Sequence, residues 1–413
     1  MKRARLILIV AGAGAMLSTA AALRPGGPVA AELASPLFTS PVQARLAADR
    51  RIAAGPQDGA QTDLSELALR IDGGEEGFGH IVDVVPSPGG DTIYVLDGMS
   101  LSGSAFDSGG TRLFGFGGAG GGPGEFRRPT SLTLLPWSGE VAVWDVQTQR
   151  MTVHTSAGAP VRSLSPAGLG QGLVQRMAAV EGGFVAEVRS DPLRVQPDAQ
   201  GGALVRLDTA ARATRTLLRF RVPGVNASHR ESAAGSSVTT WLNPLTWSPE
   251  PRWSALRDGS VVFAPGGPDD VYRIDPSGRV ERIRADFRPA RVTRGDRVRH
   301  LAGLRERGKI AASTTPLHLL EPLNRSYYAR VRPAVSGVLA GPGGAVWTRG
   351  FSTEDDWRGY SREWRVAAAA RPPARVRLPR GFEPLHIAGS LVYGVAVDSM
   401  LAERVEAYRV EVP

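Results

Sequence analysis

The chain has 413 residues, 42% hydrophobic and 22% charged, which excludes a disordered polyelectrolyte and is enough for one large domain. A net charge of +9 rests almost wholly on arginine, since Lys2 and Lys309 are the only lysines. The arginines read as spread over turns and strand faces rather than gathered with aromatics, so nucleic acid is not an expected partner. No cysteine is present, which excludes disulfides, thiolate metal sites, cysteine nucleophiles and lipid attachment through an N-terminal cysteine.

The N-terminus carries Lys2, Arg3 and Arg5, then the apolar run Leu6–Leu17, then the small residues 18–22. That order predicts a secretory signal peptide over 1–22, too short in its apolar part for a stable membrane span unless retained as an anchor. The expected location is therefore periplasmic or secreted. Residues 23–64 are rich in Ala, Pro and Gly and read as a flexible linker, with a short helix over Pro41–Ile52. At 65–72 the pattern turns strand-like, with Leu67, Leu69 and Ile71 alternating with Ala68, Arg70 and Asp72.

From residue 81 onward one unit repeats: a short apolar strand, a turn with a glycine, and further short strands ending on polar residues. The turn glycines are Gly90, Gly139, Gly183, Gly259, Gly344 and Gly389. Three of the five intervals are about 45 residues, within the range of propeller blades. The other two hold insertions. One, Val222–Glu250, reads as a loop. The other, Arg288–Arg332, contains Val298, Leu301, Leu304 and Ile310 at near-helical spacing. A lone four-stranded meander cannot cover both its faces, so the units must pack on one another. The pattern predicts an all-β fold over 65–413: a six-bladed β-propeller with four-stranded blades and a helical insertion between blades 4 and 5. The last unit shows only three strands. The strand near Leu67–Ile71 is expected to supply its fourth and so close the ring.

The second unit carries Gly124, Glu125, Phe126, Pro129, Gly139, Val141, Val143, Asp145, Arg150 and Val153 in order. On these residues it resembles an NHL-type propeller repeat. Pro251, Trp253, Asp258 and Gly259, together with Gly344, Trp347 and Arg349, resemble strands of bacterial six-bladed propellers found in exported proteins. The resemblance implies a ligand or partner site at one mouth of a central channel.

Residues on or just before inner strands are the candidates for that site: His80, Asp83, Arg128, Arg176, Trp253 and His386, with Trp347 and Arg349 in the strand after Gly344. An arginine-lined channel suits an anionic small molecule, glycan, peptide or protein better than a divalent cation. No metal or other cofactor is expected. The histidines show no HxH or HExxH spacing, and the three asparagines, Asn226, Asn243 and Asn324, lie off the inner strands. Asn226 and Asn324 each open an Asn-X-Ser triplet, read as chance in a chain of bacterial character. The run Gly115–Gly124 lacks the Gly-Lys-Ser/Thr ending of a phosphate loop. Asp97, Asp145 and Asp275 read as turn-forming aspartates. Trp241, Trp247 and Trp253 recur every six residues and offer an aromatic wall or ordinary packing. The polar tip Glu354–Tyr360 is a plausible partner surface. The expected function is a non-catalytic binding module. The alternative is a metal-dependent hydrolase or lyase resembling lactonases built on the same ring, which would need several oxygen and nitrogen ligands converging in the channel.

Overall fold

A computed structural model describes residues 61–411 except 75–76, 191–200, 222–224, 232–236, 245, 249, 267–269, 286, 307–327, 354–359, 369–373, 399 and 401, together with the N-terminal strands Arg5–Ile9, Thr19–Ala21 and Leu46–Arg51. Six antiparallel meanders follow one another along the chain. Blade 1 is Ile81–Pro86, Thr92–Asp97, Ser102–Asp107 and Arg112–Gly117. Blade 2 is Pro129–Leu134, Val141–Asp145, Arg150–His154 and Pro160–Leu164, and blade 3 is Gly172–Val180, Gly183–Ser190, Gly201–Leu207 and Ala213–Arg221. Blade 4 is Arg252–Ala255, Val261–Ala264, Asp270–Ile274 and Val280–Arg284, and blade 5 is Val335–Gly341, Ala345–Phe351, Tyr360–Ala367 and Ala374–Arg377. Blade 6 is Phe382–Ala388, Leu391–Val397 and Glu403–Arg409, completed by Leu67–Ile71, whose Ile71 lies opposite Val405 and Leu69 opposite Ala407. The expected closure by pairing the two ends of the chain is what holds the ring shut. All six turn glycines have φ in the left-handed range, from 56° at Gly389 to 143° at Gly183. At Gly183 an added Cβ would fall 2.0 Å from the Leu207 carbonyl oxygen, so only glycine fits.

The core is divided. Among the described residues six apolar clusters are present, and each lies between two consecutive blades. Tyr94, Leu96 and Phe116 meet Phe126, Leu132 and Val143 between blades 1 and 2. Trp144 and Met151 meet Met177 and Phe184 between blades 2 and 3. Leu218 and Phe220 meet Trp253 and Phe263 between blades 3 and 4. The remaining junctions are built in the same way. Each sheet is therefore covered on both faces, and its middle strands lose the alternation of a half-exposed sheet: Val141–Asp145 is buried at every residue. Arginines stitch the junctions. Arg215 of blade 3 donates to the Ser277 carbonyl of blade 4 at 2.7 Å, and Arg365 of blade 5 to the Ala285 carbonyl beyond blade 4 at 3.0 Å.

Of the stretch Pro41–Ile52, expected to be helical, residues 46–51 are described and are not helical. Leu46–Arg51 is a strand that adds parallel to the outer strand of blade 4, and Gln61–Asp63 adds in the same way to blade 5. The stretch expected as a flexible linker thus supplies edge strands. An open blade edge offers unpaired backbone groups, and these outweigh the weak helical preference of a six-residue segment. Residues 222–250, expected as a loop, contain the hairpin Val225–Glu231/Ser237–Pro244, which joins Arg5–Ile9 and Thr19–Ala21 in a separate four-stranded sheet. The expected helical insertion is present as the helix Arg294–Glu306, flanked by the paired segments Ala290–Arg291 and Val331–Arg332.

In a meander, the turns joining strands 2 and 3 and the connections to the next blade emerge at one end, and all other turns emerge at the opposite end. The hairpin and the helix both lie in blade-to-blade connections, so both stand on that one face of the ring. The same strand order fixes where the channel mouth acquires walls.

The candidate site in the central channel

The first strand of every blade contributes to one central cavity of about 250 Å³. Asp83, Thr130, Arg176, Trp253, Ser336 and Glu383 line it, one from each blade in turn, and Arg349 reaches it from the second strand of blade 5. In five of the six blades the pairing of the first strand with the second slips by one residue near the start: at Val82, Thr130, Gln175, Ser336 and Leu385. Four of these bulged residues line the cavity. A bulge re-aims side chains and bends the strand, so this repeated defect shapes the channel.

Arg176 is exposed although it sits in mid-strand, because it faces the open channel. Its Nη1 donates to the Trp253 carbonyl at 3.3 Å, and its guanidinium carbon lies 5.0 Å from the centre of the Trp253 ring. Trp253 is 3% exposed and is itself fixed, its Nε1 donating to Glu187 Oε2 at 2.8 Å. Glu187 in turn accepts from Arg189 at 2.6 Å. Among the described residues, no carboxylate comes within ion-pair distance of Arg176. Arg349 is different. It is buried, makes a bidentate pair with Glu383 at 2.6 and 2.8 Å, and stacks on Trp364 at 4.8 Å. Its charge is answered within the protein.

Asp83 accepts from the Val84 amide at 3.0 Å and from the Leu132 amide of blade 2 at 3.0 Å. Burial pushes its carboxyl above the usual range, while the charge of Arg176 and the two amides pull the other way. Arg252, on the rim, lies 3.6 Å from Glu250.

The ring brings together four of the eight expected site residues: Asp83, Arg176, Trp253 and Arg349. The other four lie outside the cavity lining. The exposed His80 ring sits 3.3 Å from Glu403. Arg128 is half-buried near Asp145, and burial lowers its pKa. Trp347 is 1% exposed and packs beside Trp364 in the core between blades 5 and 6. His386 is half-buried, and burial holds its imidazole neutral, its pKa pushed down to about 4. Sequence reasoning missed Glu383, Thr130 and Ser336. A side chain at a bulge has no period-two signal, and nothing local pairs Glu383 with Arg349.

The turn aspartates behave as expected and do more. Asp145 accepts from the amides of Gln147 and Thr148 in its own turn, and from those of Arg127 and Arg128 entering the blade. Asp97 does the same with Met99, Ser100, Gly79 and His80. Trp247 and Trp253 do not share one wall. Trp247 packs on His300, Tyr328 and Phe351, while Trp253 belongs to the core between blades 3 and 4. The side chains of Trp241, Asn226 and Asn243, Asn324 itself, and residues 354–359 of the polar tip lie outside the described residues.

Among the described residues, no three histidine, aspartate or glutamate side chains gather as a metal-binding group. No helix of the described residues is long and apolar enough to cross a membrane.

No family model and no curated protein matches the sequence. Solved structures match by shape. A candidate exported protein of Bacteroides fragilis aligns over 88% of this chain and 99% of its own, at 10% identity and a TM-score of 0.48. A catalytically inactive variant of virginiamycin B lyase from Staphylococcus aureus, solved with quinupristin, aligns over 80% of each chain at 12% identity and 0.39. A candidate gluconolactonase aligns over 87% of this chain and 96% of its own at 11% identity and 0.42. The names of these neighbours point to different activities.

Proposed function

We propose that this chain is an exported NHL-type propeller that binds a small anionic ligand in its central channel, with Arg176 as the principal anchor. The observation that carries the reading is Arg176 itself: a guanidinium facing the channel, backed by Trp253, with no carboxylate at ion-pair distance among the described residues. An arginine so placed presents a planar set of donors that matches a carboxylate two bonds at a time. Asp83, which lines the same cavity, accepts a hydroxyl or amine of the same ligand. The leader-like N-terminus supports export.

The test is a thermal-shift and calorimetric screen with simple carboxylates, galacturonate and citrate among them, on the wild type and on Arg176→Gln. Saturable stabilisation that falls about tenfold in affinity in the variant, as loss of one charge-assisted contact implies, supports the reading. No carboxylate binding, or binding indifferent to the substitution, overturns it.

One observation favours a catalytic reading instead. A carboxyl raised by burial and set beside an arginine, as Asp83 is, suits a general acid. Turnover of a lactone by the wild type that disappears in Asp83→Asn would establish it.

A further inference from the structure

A second cavity of about 210 Å³ opens beside the helical insertion, lined by Phe287, Arg288, Arg332, Phe351 and Ser361. Its wall is shared with the channel: Ser336, which lines the channel, donates from Oγ to the Gly350 carbonyl at 2.6 Å, and Gly350 lines the second cavity. Its two aromatic rings are held by guanidinium groups. Arg365 lies 4.2 Å from the Phe287 ring centre and Arg332 lies 5.2 Å from that of Phe351. The cavity is thus shaped before anything enters it.

Its charge is also arranged. Arg332 donates to Asp296 at 3.2 Å, but Asp296 already accepts from Arg299, Thr293 and Thr353. One carboxylate therefore answers two guanidinium groups. Arg288 is exposed, and among the described residues no carboxylate lies within ion-pair distance of it. In the same insertion Arg291, Arg294, Arg299 and Arg330 are exposed as well. The arginines are expected to spread over turns and strand faces, but in the folded insertion Ala290–Arg291 pairs with Val331–Arg332 and brings two distant arginine-bearing stretches side by side. With few acidic partners among the described residues, such a patch draws anions from solution.

We propose that the cavity between Phe287 and Phe351 is a second binding site, for small ligands that join a flat apolar body to an anionic head. The body lies against the phenylalanine rings, and the head meets Arg288 and Arg332. The site is separate from the channel ligand and does not depend on it.

The test uses 1-anilinonaphthalene-8-sulfonate, read by its fluorescence, against N-phenyl-1-naphthylamine, which has the same body without the sulfonate. The wild type is expected to bind the sulfonate at one saturable site and the neutral compound far more weakly. Arg288→Gln weakens sulfonate binding about fivefold, the loss of one charge-assisted contact, with the melting temperature unchanged. Arg288→Lys restores part of it, and Arg176→Gln leaves it untouched. Three results would overturn the proposal: equal binding of the neutral compound, sulfonate binding indifferent to Arg288→Gln, or binding lost in Arg176→Gln, which would put the probe in the channel.

Discussion

The two halves of the channel mouth are built on different plans. On the side of blades 1 and 2, the connections are short, and a single buried carboxylate per blade, Asp97 or Asp145, gathers four backbone amides where the chain enters the inner strand. On the side of blades 4 and 5, the connections are long and carry a helix. One buried carboxylate, Asp296, holds that helix to the ring through hydroxyl, amide and guanidinium donors. The first plan fixes backbone and leaves nothing over for a ligand. The second ties side chains together and, among the described residues, leaves exposed arginines such as Arg288 at the second cavity.

Breaking the second plan is expected to have the largest effect. Asp296→Ala removes a carboxylate that is 1% exposed and accepts from Thr293, Thr353, Arg299 and Arg332, which costs about 3 kcal/mol in a denaturant melt and exposes the insertion to protease first. The pH dependence has the same source. Burial raises the Asp296 carboxyl, but the bonds from Thr293 and Thr353 and the charge of Arg332 outweigh it, so its net pKa is lowered. Its share of stability is present above the unfolded carboxylate value and is lost as pH falls through the folded one.

Acid acts earlier through the histidines. His386 in blade 6 and His300 against Trp247 are both pushed down by burial to about 4, so each binds its proton more readily unfolded. Stability is complete above the ordinary histidine value of about 6.5 and is lost as pH falls from there towards 4, by up to about 3 kcal/mol for each residue. A melt series between pH 7 and pH 4 measures this. His300→Phe should flatten the acid loss on the insertion side, as followed by proteolysis of residues 288–332, and leave the loss from His386 in place. If both halves still open together, the comparison between them fails.

Breaking the first plan costs less. Asp145→Ala leaves four amides without their acceptor, for a loss of about 2 kcal/mol, spread over the whole ring because blade 2 packs on blades 1 and 3. Smallest is Arg215→Ala, which removes one exposed arginine-to-carbonyl link between blades 3 and 4 and shifts the melt by about 0.5 kcal/mol. A larger loss there would mean that the junctions depend on their arginines more than on the apolar clusters.

The amino-acid sequence by itself determined the ring. Short β-rich runs, a glycine at each turn and an orphan strand at Leu67–Ile71 are local signals, and the only way to cover six two-faced sheets is to close them on one another. It also marked Asp83, Arg176, Trp253 and Arg349 as channel residues, because each lies in the inner strand of a blade or the strand next to it. Tertiary structure alone decided the rest. A one-residue bulge at Val82, Thr130, Ser336 or Leu385 reverses which side chains face the axis and leaves no periodic trace. The pairing of Arg349 with Glu383, the folding of Leu46–Arg51 onto an outer edge and the pairing of Ala290–Arg291 with Val331–Arg332 all join residues far apart in the sequence, and a contact between distant parts of a chain exists only once the chain has closed.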